Sequence, residues 1–243
     1  MSAVRTTVTT EVRLFLRDPV AAGFAPIFPA LLMVLIGLIP LGDEDFGGRA
    51  LIDIYAPIAI SMGVAMTALV SLPTFMATYR EQGVLRRLSA TPARPSVVLA
   101  AQAAVNCGAA AVSIILVHLV GGLAFGLSAP GTLVGYLLVL VLGIGCLMSL
   151  GLVSAALCSN GRVASGVGNA LFFPMAFFAG TWTPGPAMPD LVRAISDFVP
   201  LGALVQALDA TVVGEWPSPL HVGVLIGWTV LGSVVAARFF RWA

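Results

Sequence analysis

Apolar residues along this chain come in long blocks, not in strict alternation, and the blocks are long enough to cross a bilayer. A helix needs about 20 apolar residues to span roughly 30 Å of hydrocarbon, whereas a membrane strand needs only about ten alternating ones. Blocks near Ala21–Ile39, Leu51–Met76, Ser96–Gly126, Thr132–Leu157, one beginning near Val163, and His221–Ala237 predict six transmembrane helices. The third is long enough to tilt or to project from the membrane. The breaks between blocks are polar: an acidic loop at Pro40–Arg49 with Asp43, Glu44 and Asp45, a Ser-Ala-Pro-Gly turn at Ser128–Gly131, and a brief turn at Cys158–Arg162. The expected class is an all-α integral membrane protein with a single transmembrane domain over 1–243.

Two segments depart from the simple span pattern. Val4–Arg17 places Val8, Val12, Phe15 and Leu16 on one helical face and leaves Thr6, Glu11, Arg13 and Arg17 mostly elsewhere, the pattern of a helix lying in the interface. Asp18 and Pro19 interrupt it, because proline cannot extend the preceding hydrogen-bond ladder, so 1–19 reads as an in-plane elbow. No uninterrupted apolar core precedes Asp18, so no cleavable signal is expected and the mature chain is expected to begin near Met1. From Phe172 to Pro219 the sequence is too apolar for a free loop and too rich in proline for a straight helix. A re-entrant outer hairpin at 180–218 is expected. Within it, Leu191, Ile195 and Phe198 oppose Arg193 and Asp197, so Pro189–Val199 suits a short interfacial helix that Pro200 ends. A second short helix, Leu201–Val213, is expected close to the outer leaflet before the Trp216-Pro217 turn. Non-helical backbone at such depth survives only under protein or beside a cavity, which places the segment at a subunit interface or an exit vestibule.

Composition agrees and adds orientation. Apolar residues make up 59% of the 243, charged residues 9%, and the mean hydropathy is +1.03; soluble proteins carry about a quarter charged residues. With six spans, Arg5, Arg13, Arg17, Arg80, Arg86, Arg87, Arg94, Arg162, Arg238 and Arg241 share one side, and only Arg49 and Arg193 lie on the other. The positive-inside rule makes the first side cytoplasmic, with both termini there and the protein multi-pass in the plasma membrane. All 12 basic residues are arginine. Without a lysine no GxxxxGK[ST] phosphate loop can exist, so an ATP-driven reading needs another polypeptide to hold the nucleotide. Cys107, Cys146 and Cys158 are odd in number and sit in or beside apolar blocks, which argues against a disulfide framework. His118 and His221 lack carboxylates at ligand spacing, so no metal centre is expected.

The densest charge lies in Tyr79–Pro95, YREQGVLRRLSATPARP. Topogenic charge alone would account for its arginines. It would not require Gly83, the apolar row Val84, Leu85 and Leu88, or a Thr91-Pro92 stop, all of which suit a short helix packing its apolar face into a groove on a partner. Ser96 can then cap the next helix.

Glu81, Gly83, Arg87, Leu88, Thr91 and Pro92, behind the pair Tyr79 and Arg80, resemble the loop after the second span in the type 2 export permeases of the ATP-binding cassette class, daunorubicin-resistance-like transporters among them. The elbow with its Arg-Asp-Pro corner and the stretch from FFPMAFFAG to GPAMP resemble the opening and the outer hairpin of the same family, so the likeness covers essentially the whole chain. Gln82 stands where the family commonly has lysine, and Asp209 where it often has arginine. The resemblance implies that 77–95 is a coupling helix docking on a separate ATPase subunit, with Tyr79, Arg80, Glu81, Gln82, Gly83, Val84, Leu85, Arg86, Arg87, Leu88, Thr91 and Pro92 at the contact. It also implies a second copy or a sister permease, ATP and Mg held by the partner subunit, no cofactor and no catalytic site on this chain, and no nucleic acid. The implied cargo is a hydrophobic or amphipathic drug, antibiotic or lipid.

Phe172, Phe173, Phe177, Phe178 and Trp182 could line its path, since aromatic faces hold apolar and cationic molecules without fixed geometry; core packing or an interfacial belt explains them equally well. Gln102, Asn106, His118 and Asn169 are more readily interhelical hydrogen-bonding groups. A secondary transporter or channel working without an ATPase is the competing reading. It would need ionisable residues or broken helices at the midplane, whereas Asp53 and Asp209 sit near the outer surface.

Overall fold

The computed structural model describes residues 2–17, 24–39, 48–84 and 95–239, and all regular structure among them is helical. In chain order the elements are α1 (Ser2–Arg17), α2 (Ala25–Gly37), α3 (Leu51–Ala65), a π-helical segment (Met66–Ser71), α4 (Leu72–Glu81), α5 (Pro95–Phe125), α6 (Leu133–Leu157), α7 (Gly161–Phe178), a single 3-10 turn (Gly185–Ala187), α8 (Asp190–Ser196), α9 (Pro200–Val212) and α10 (Pro219–Phe239). The Asp18-Pro19 corner and the acidic loop lie outside the described residues.

Four helices are long and apolar enough to cross a membrane: Leu51–Glu81, Val97–Phe125, Leu133–Leu157 and Pro219–Phe239. A fifth results if α8 and α9, bent by 99° at their junction, count as one broken span. Helices also stand where the sequence puts its first and fifth spans, but neither meets that standard. The described part of the first is the 13-residue α2. The fifth is the 18-residue α7, which carries Arg162, Ser165, Gly166, Gly168 and Asn169 in its first half.

The second span is the axis of the bundle. Ile58, Val64, Ala65, Ala68, Leu69, Leu72 and Met76 are fully buried along it, while α2, α5, α6, α7 and α9 pack around it. It is not one regular helix. Pro73 has no N–H for the Leu69 carbonyl, and its ring would crowd that carbonyl in an α-helix. The backbone widens into the π segment just ahead of it. Thr67 Oγ1 bonds the carbonyls of Gly63 at 3.2 Å and Val64 at 2.9 Å, and Thr74 Oγ1 bonds that of Val70 at 2.6 Å, so side-chain hydroxyls supplement the disturbed ladder. Neighbouring helices approach this segment at backbone distance. A Cβ at Gly151 of α6 would overlap the Ala68 carbonyl oxygen, and one at Gly168 of α7 would overlap that of Leu69. Gly151 and Gly168 are therefore where α6 and α7 meet the π segment.

Apolar faces of α5, α6 and α10 point away from the bundle, exposing Ile115, Leu119, Leu137, Val141, Val230 and Val234. α10 packs along α6, and α1 along α5. A helix stands where the sequence expects one at Leu201–Val213, and this α9 is enclosed by α3, α6, α7 and α10. Leu201, Leu204 and Leu208 are fully buried, and Leu204 seats against Gly143 ten residues into α6. Its apolar residues recur every three to four positions, and neighbouring helices cover that face.

The end of the bundle remote from the Tyr79 loop is tied by polar contacts. The Arg49 guanidinium meets the Asp209 carboxylate at 2.6 and 3.1 Å, which gives the unusual Asp209 a partner and raises the arginine above its ordinary pKa. Asp53 accepts from the Ser128 backbone N–H at 2.9 Å and from its hydroxyl at 3.2 Å. His221 and Asp197 lie 3.1 Å apart, and Trp228 Nε1 donates to the Phe198 carbonyl at 3.1 Å, fastening the α8–α9 corner to α10.

Gly151→Val places a branched side chain against the Ala68 carbonyl, so something must shift. Overpacking of this kind costs about 1–3 kcal/mol, and thermal unfolding of the purified chain should show a lowered midpoint. The same change at Gly145, where a Cβ meets nothing within 4 Å, should leave the midpoint close to wild type.

Candidate functional site

α4 ends where the basic loop begins. Gly83 has φ +66°, its N–H bonds the Arg80 carbonyl at 3.0 Å, and the Gln82 N–H bonds that of Thr78 at 2.9 Å. A left-handed glycine stops a helix in this way because a side chain there would be strained.

Tyr79, Arg80 and Glu81, the last three residues of α4, each reach a different neighbour. Tyr79 is buried, and its hydroxyl donates to Glu11 Oε2 at 2.5 Å. Gln102 Nε2 of α5 donates to the same oxygen at 2.5 Å and lies 3.3 Å from the Tyr79 hydroxyl. Asn106 Nδ2 in turn donates to the Gln102 carbonyl at 2.9 Å. Glu11 is only 6% exposed, so its carboxyl needs these donors. The sequence leaves Glu11 off the apolar face of α1. Here Glu11 and Phe15, one turn apart, face the bundle, while Val12 and Leu16 point out. Phe15 packs against Val105, Ala109 and Phe75. Glu11 turns to the bundle because a hydroxyl and an amide await its carboxyl.

Arg80 and Glu81 act on the turn between α6 and α7. Arg80 Nη1 donates to the carbonyls of Ala155 at 2.9 Å, Cys158 at 3.1 Å and Ala156 at 3.4 Å, which are carbonyls the last turn of α6 cannot satisfy itself. Glu81 Oε2 accepts from the Gly161 N–H at 3.3 Å, and Asn160 Oδ1 caps Val163 N at 2.9 Å. A cation thus sits at a helix C-terminus and an anion at the next N-terminus, each the favourable sign for the helix dipole. The base of the second span gathers α1, α5, α6 and α7.

This sorts the residues expected at a partner contact. Tyr79 is spent inside the bundle, and Arg80 holds the end of α6. Val84 is half-buried beside Leu72, Met76, Tyr79 and Val98. Glu81 and Gln82 are exposed, and Gly83 is the stop. Leu85, Arg86, Arg87, Leu88, Thr91 and Pro92 lie outside the described residues. Nothing in the sequence singled out Glu11, and Gln102 and Asn106 were visible only as polar groups in an apolar span.

A second feature is a cavity of about 550 Å³ beside the π segment. Phe172, Phe173 and Trp182 line it, as do Phe28 from α2, Met66 from the π segment and Asn169 from α7. Phe173 and Trp182 are largely exposed at its edge, whereas Phe172 is buried. Phe177 does not line it but stacks edge-on with Phe178, with ring centroids 5.4 Å apart, and lies 6.4 Å from Trp182. Phe178 faces a separate groove. The face Ser165, Asn169, Phe172, Phe173 and Ala176 follows helical spacing and could have been read from the sequence. The contributions of α2 and the π segment could not. Among the described residues no group of three His, Cys, Asp or Glu side chains could hold a metal ion.

Tyr79→Phe keeps the ring and removes one of the two donors to a buried carboxyl. A loss of about 1–3 kcal/mol is expected, read as a lower thermal midpoint, and Glu11→Gln in the same background should recover part of it.

Comparison with curated proteins gives no match. The profile of the family described as ABC-2 type transporter matches residues 2–213, which runs from the first described helix through α9 and includes the clamp at the base of the second span. That match covers most of an all-helical chain with four or five membrane-capable helices: the chain belongs to the ABC-2 type transporter family and is a membrane component of an ABC transporter, a family that works with an ABC ATPase subunit.

Proposed function

We propose that this chain is the transmembrane half of an ATP-driven exporter, that a separate ATPase subunit docks on the loop 77–95, and that two such halves enclose the path of a hydrophobic or amphipathic molecule. Drugs, antibiotics and lipids are the cargo classes in view. ATP and Mg belong to the partner subunit, because a chain without lysine cannot build the usual phosphate loop. The single observation that carries the reading is the clamp at Tyr79, Arg80 and Glu81. A loop that only set topology would have no need to be bonded through its first residues to α1, α5, α6 and α7.

A push on this loop from the ATPase side moves the base of those four elements as one body. Just above the base lies the π segment, where the second span departs from regular α-helix, and Met66 and Val70 of that segment line the aromatic cavity. π segments of this kind are frequent at functional sites. Displacement of α4 is therefore delivered to the cavity wall. Exposed Phe24, Phe173 and Trp182 leave one side of the cavity open on a single chain, the side a second copy or a sister chain would close. Ten arginines on one side of the topology put the clamp and both termini in the cytoplasm of a plasma-membrane protein.

Co-purification of the chain with its ATPase subunit tests the docking role. Glu81→Ala combined with Arg87→Ala should reduce recovery of that subunit and lower export by about tenfold, the cost of one or two charged contacts at an interface. Undiminished association and export in the double variant would sink the coupling assignment. The cavity has its own readout. Phe173→Ala with Trp182→Ala removes two exposed aromatic faces and should cut export of an aromatic amphipath about fivefold or more while leaving ATPase association unchanged.

A further inference from the structure

Two cavities flank the short helix α8 at the end of the bundle remote from the basic loop. One, about 520 Å³, has a charged rim that includes Arg49, Arg193, Asp209, Glu215 and Trp216, above an apolar floor that includes Ile54 and Ile58. The other, also about 520 Å³, is bounded by Pro174, Phe178, Ala194, Ile195, Phe198 and Trp228 and is apolar throughout, its indole N–H being spent on the Phe198 carbonyl. Arg193 belongs to the first cavity and its neighbour Ala194 to the second, so a polar pocket and an apolar groove meet along one turn of helix.

The rim carries both signs of charge. Arg49 and Asp209 neutralise each other. Arg193 donates to the Gly185 carbonyl, which fixes the guanidinium at the mouth, and among the described residues no carboxylate lies within ion-pair distance of it. Glu215 is exposed and likewise has no cationic partner among the described residues, and beside it the Trp216 indole is open. One cation and one anion thus stand uncompensated around a single pocket, next to an aromatic face that favours ammonium groups. A purely anionic head would meet Glu215 and a purely cationic one Arg193; a zwitterion satisfies both. The adjoining apolar groove calls for a hydrocarbon chain on the same molecule. Leu191 and Phe198, exposed on α8 and its following turn, put both cavities at an apolar surface that membrane lipid reaches.

We propose that this end of the chain binds one glycerophospholipid with an amine-bearing zwitterionic head. Its phosphate diester sits at Arg193, its ammonium between Glu215 and Trp216, and one acyl chain lies in the groove past Ala194 and Phe198. The site is separate from the aromatic cavity and from the ATPase-facing loop, so it stands or falls independently of the exporter reading.

The test uses the full chain purified in an uncharged sugar-headed detergent, stripped of lipid, and offered phosphatidylethanolamine, phosphatidylglycerol or diacylglycerol of the same acyl composition. Native mass spectrometry then counts the lipid retained. Wild type should hold one phosphatidylethanolamine in preference to either of the others. Arg193→Ala, which removes the phosphate contact, and Ala194→Trp, which fills the groove, should each reduce retention about fivefold, the size of one contact at a solvent edge. Glu215→Gln touches no packing and should move the preference from phosphatidylethanolamine toward phosphatidylglycerol, so it reports even if the other two variants fold poorly. Equal retention of all three lipids by wild type would overturn the proposal, as would an unchanged preference in Glu215→Gln.

Discussion

A carboxyl group buried inside a membrane bundle tolerates very few arrangements, and Glu11 has found one of them. Its Oε2 takes hydrogen bonds from the Tyr79 hydroxyl and the Gln102 amide, both at 2.5 Å. Leaving such a group without donors would cost several kcal/mol, so the three side chains fix one another's positions. That single knot brings α1, the lower end of the second span and α5 to a common point. Arg80 and Glu81, the next two residues, extend the same point to the end of α6 and the start of α7. Three consecutive residues, Tyr79, Arg80 and Glu81, thus tie the end of α4 to four other helices just before Gly83.

The middle of the second span obeys a different constraint. Pro73 denies the Leu69 carbonyl its usual donor, the helix widens over Met66–Ser71, and glycines of α6 and α7 move in until their Cα atoms face backbone oxygens. Close backbone approach of this kind is how helices associate in lipid, where no hydrophobic force separates one apolar face from another. The second span is thus bonded to its neighbours at its base and irregular, with close backbone contacts, above it. The aromatic cavity opens beside the π segment because α2 and α7 bring Phe28, Phe172 and Phe173 to the same level.

At the opposite end the bundle is held by exposed or half-exposed polar contacts instead of a buried knot. Arg49–Asp209 and His221–Asp197 link the residues before α3 and the start of α10 to the α8–α9 unit, and Asp53–Ser128 links the second span to the turn before α6. Each is individually weak in a wet setting. What fixes α9 is its apolar side, with Leu201, Leu204 and Leu208 out of reach of solvent. The contrast between a buried polar knot at one end and a buried apolar helix under a polar rim at the other gives the two ends different mechanical characters.

By itself the sequence determined the helical class, the six places where helices stand, and that this chain carries no lysine for a phosphate loop of the usual kind. These follow from block length, from charge distribution and from the absence of lysine, all of which are properties of the chain read in order. It also marked Gly83 as special. Only the tertiary structure decided that Glu11 turns inward, that Tyr79 and Arg80 bond within the bundle, that α9 belongs to the core, and that Phe172, Phe173 and Trp182 share a cavity from which Phe177 is excluded. For Glu11, Tyr79 and Arg80 the physical reason is the same. Helical periodicity ranks faces by average polarity, whereas the preferred face of a polar side chain depends on whether a donor or acceptor from a distant segment waits there, and Tyr79 is 68 residues from Glu11.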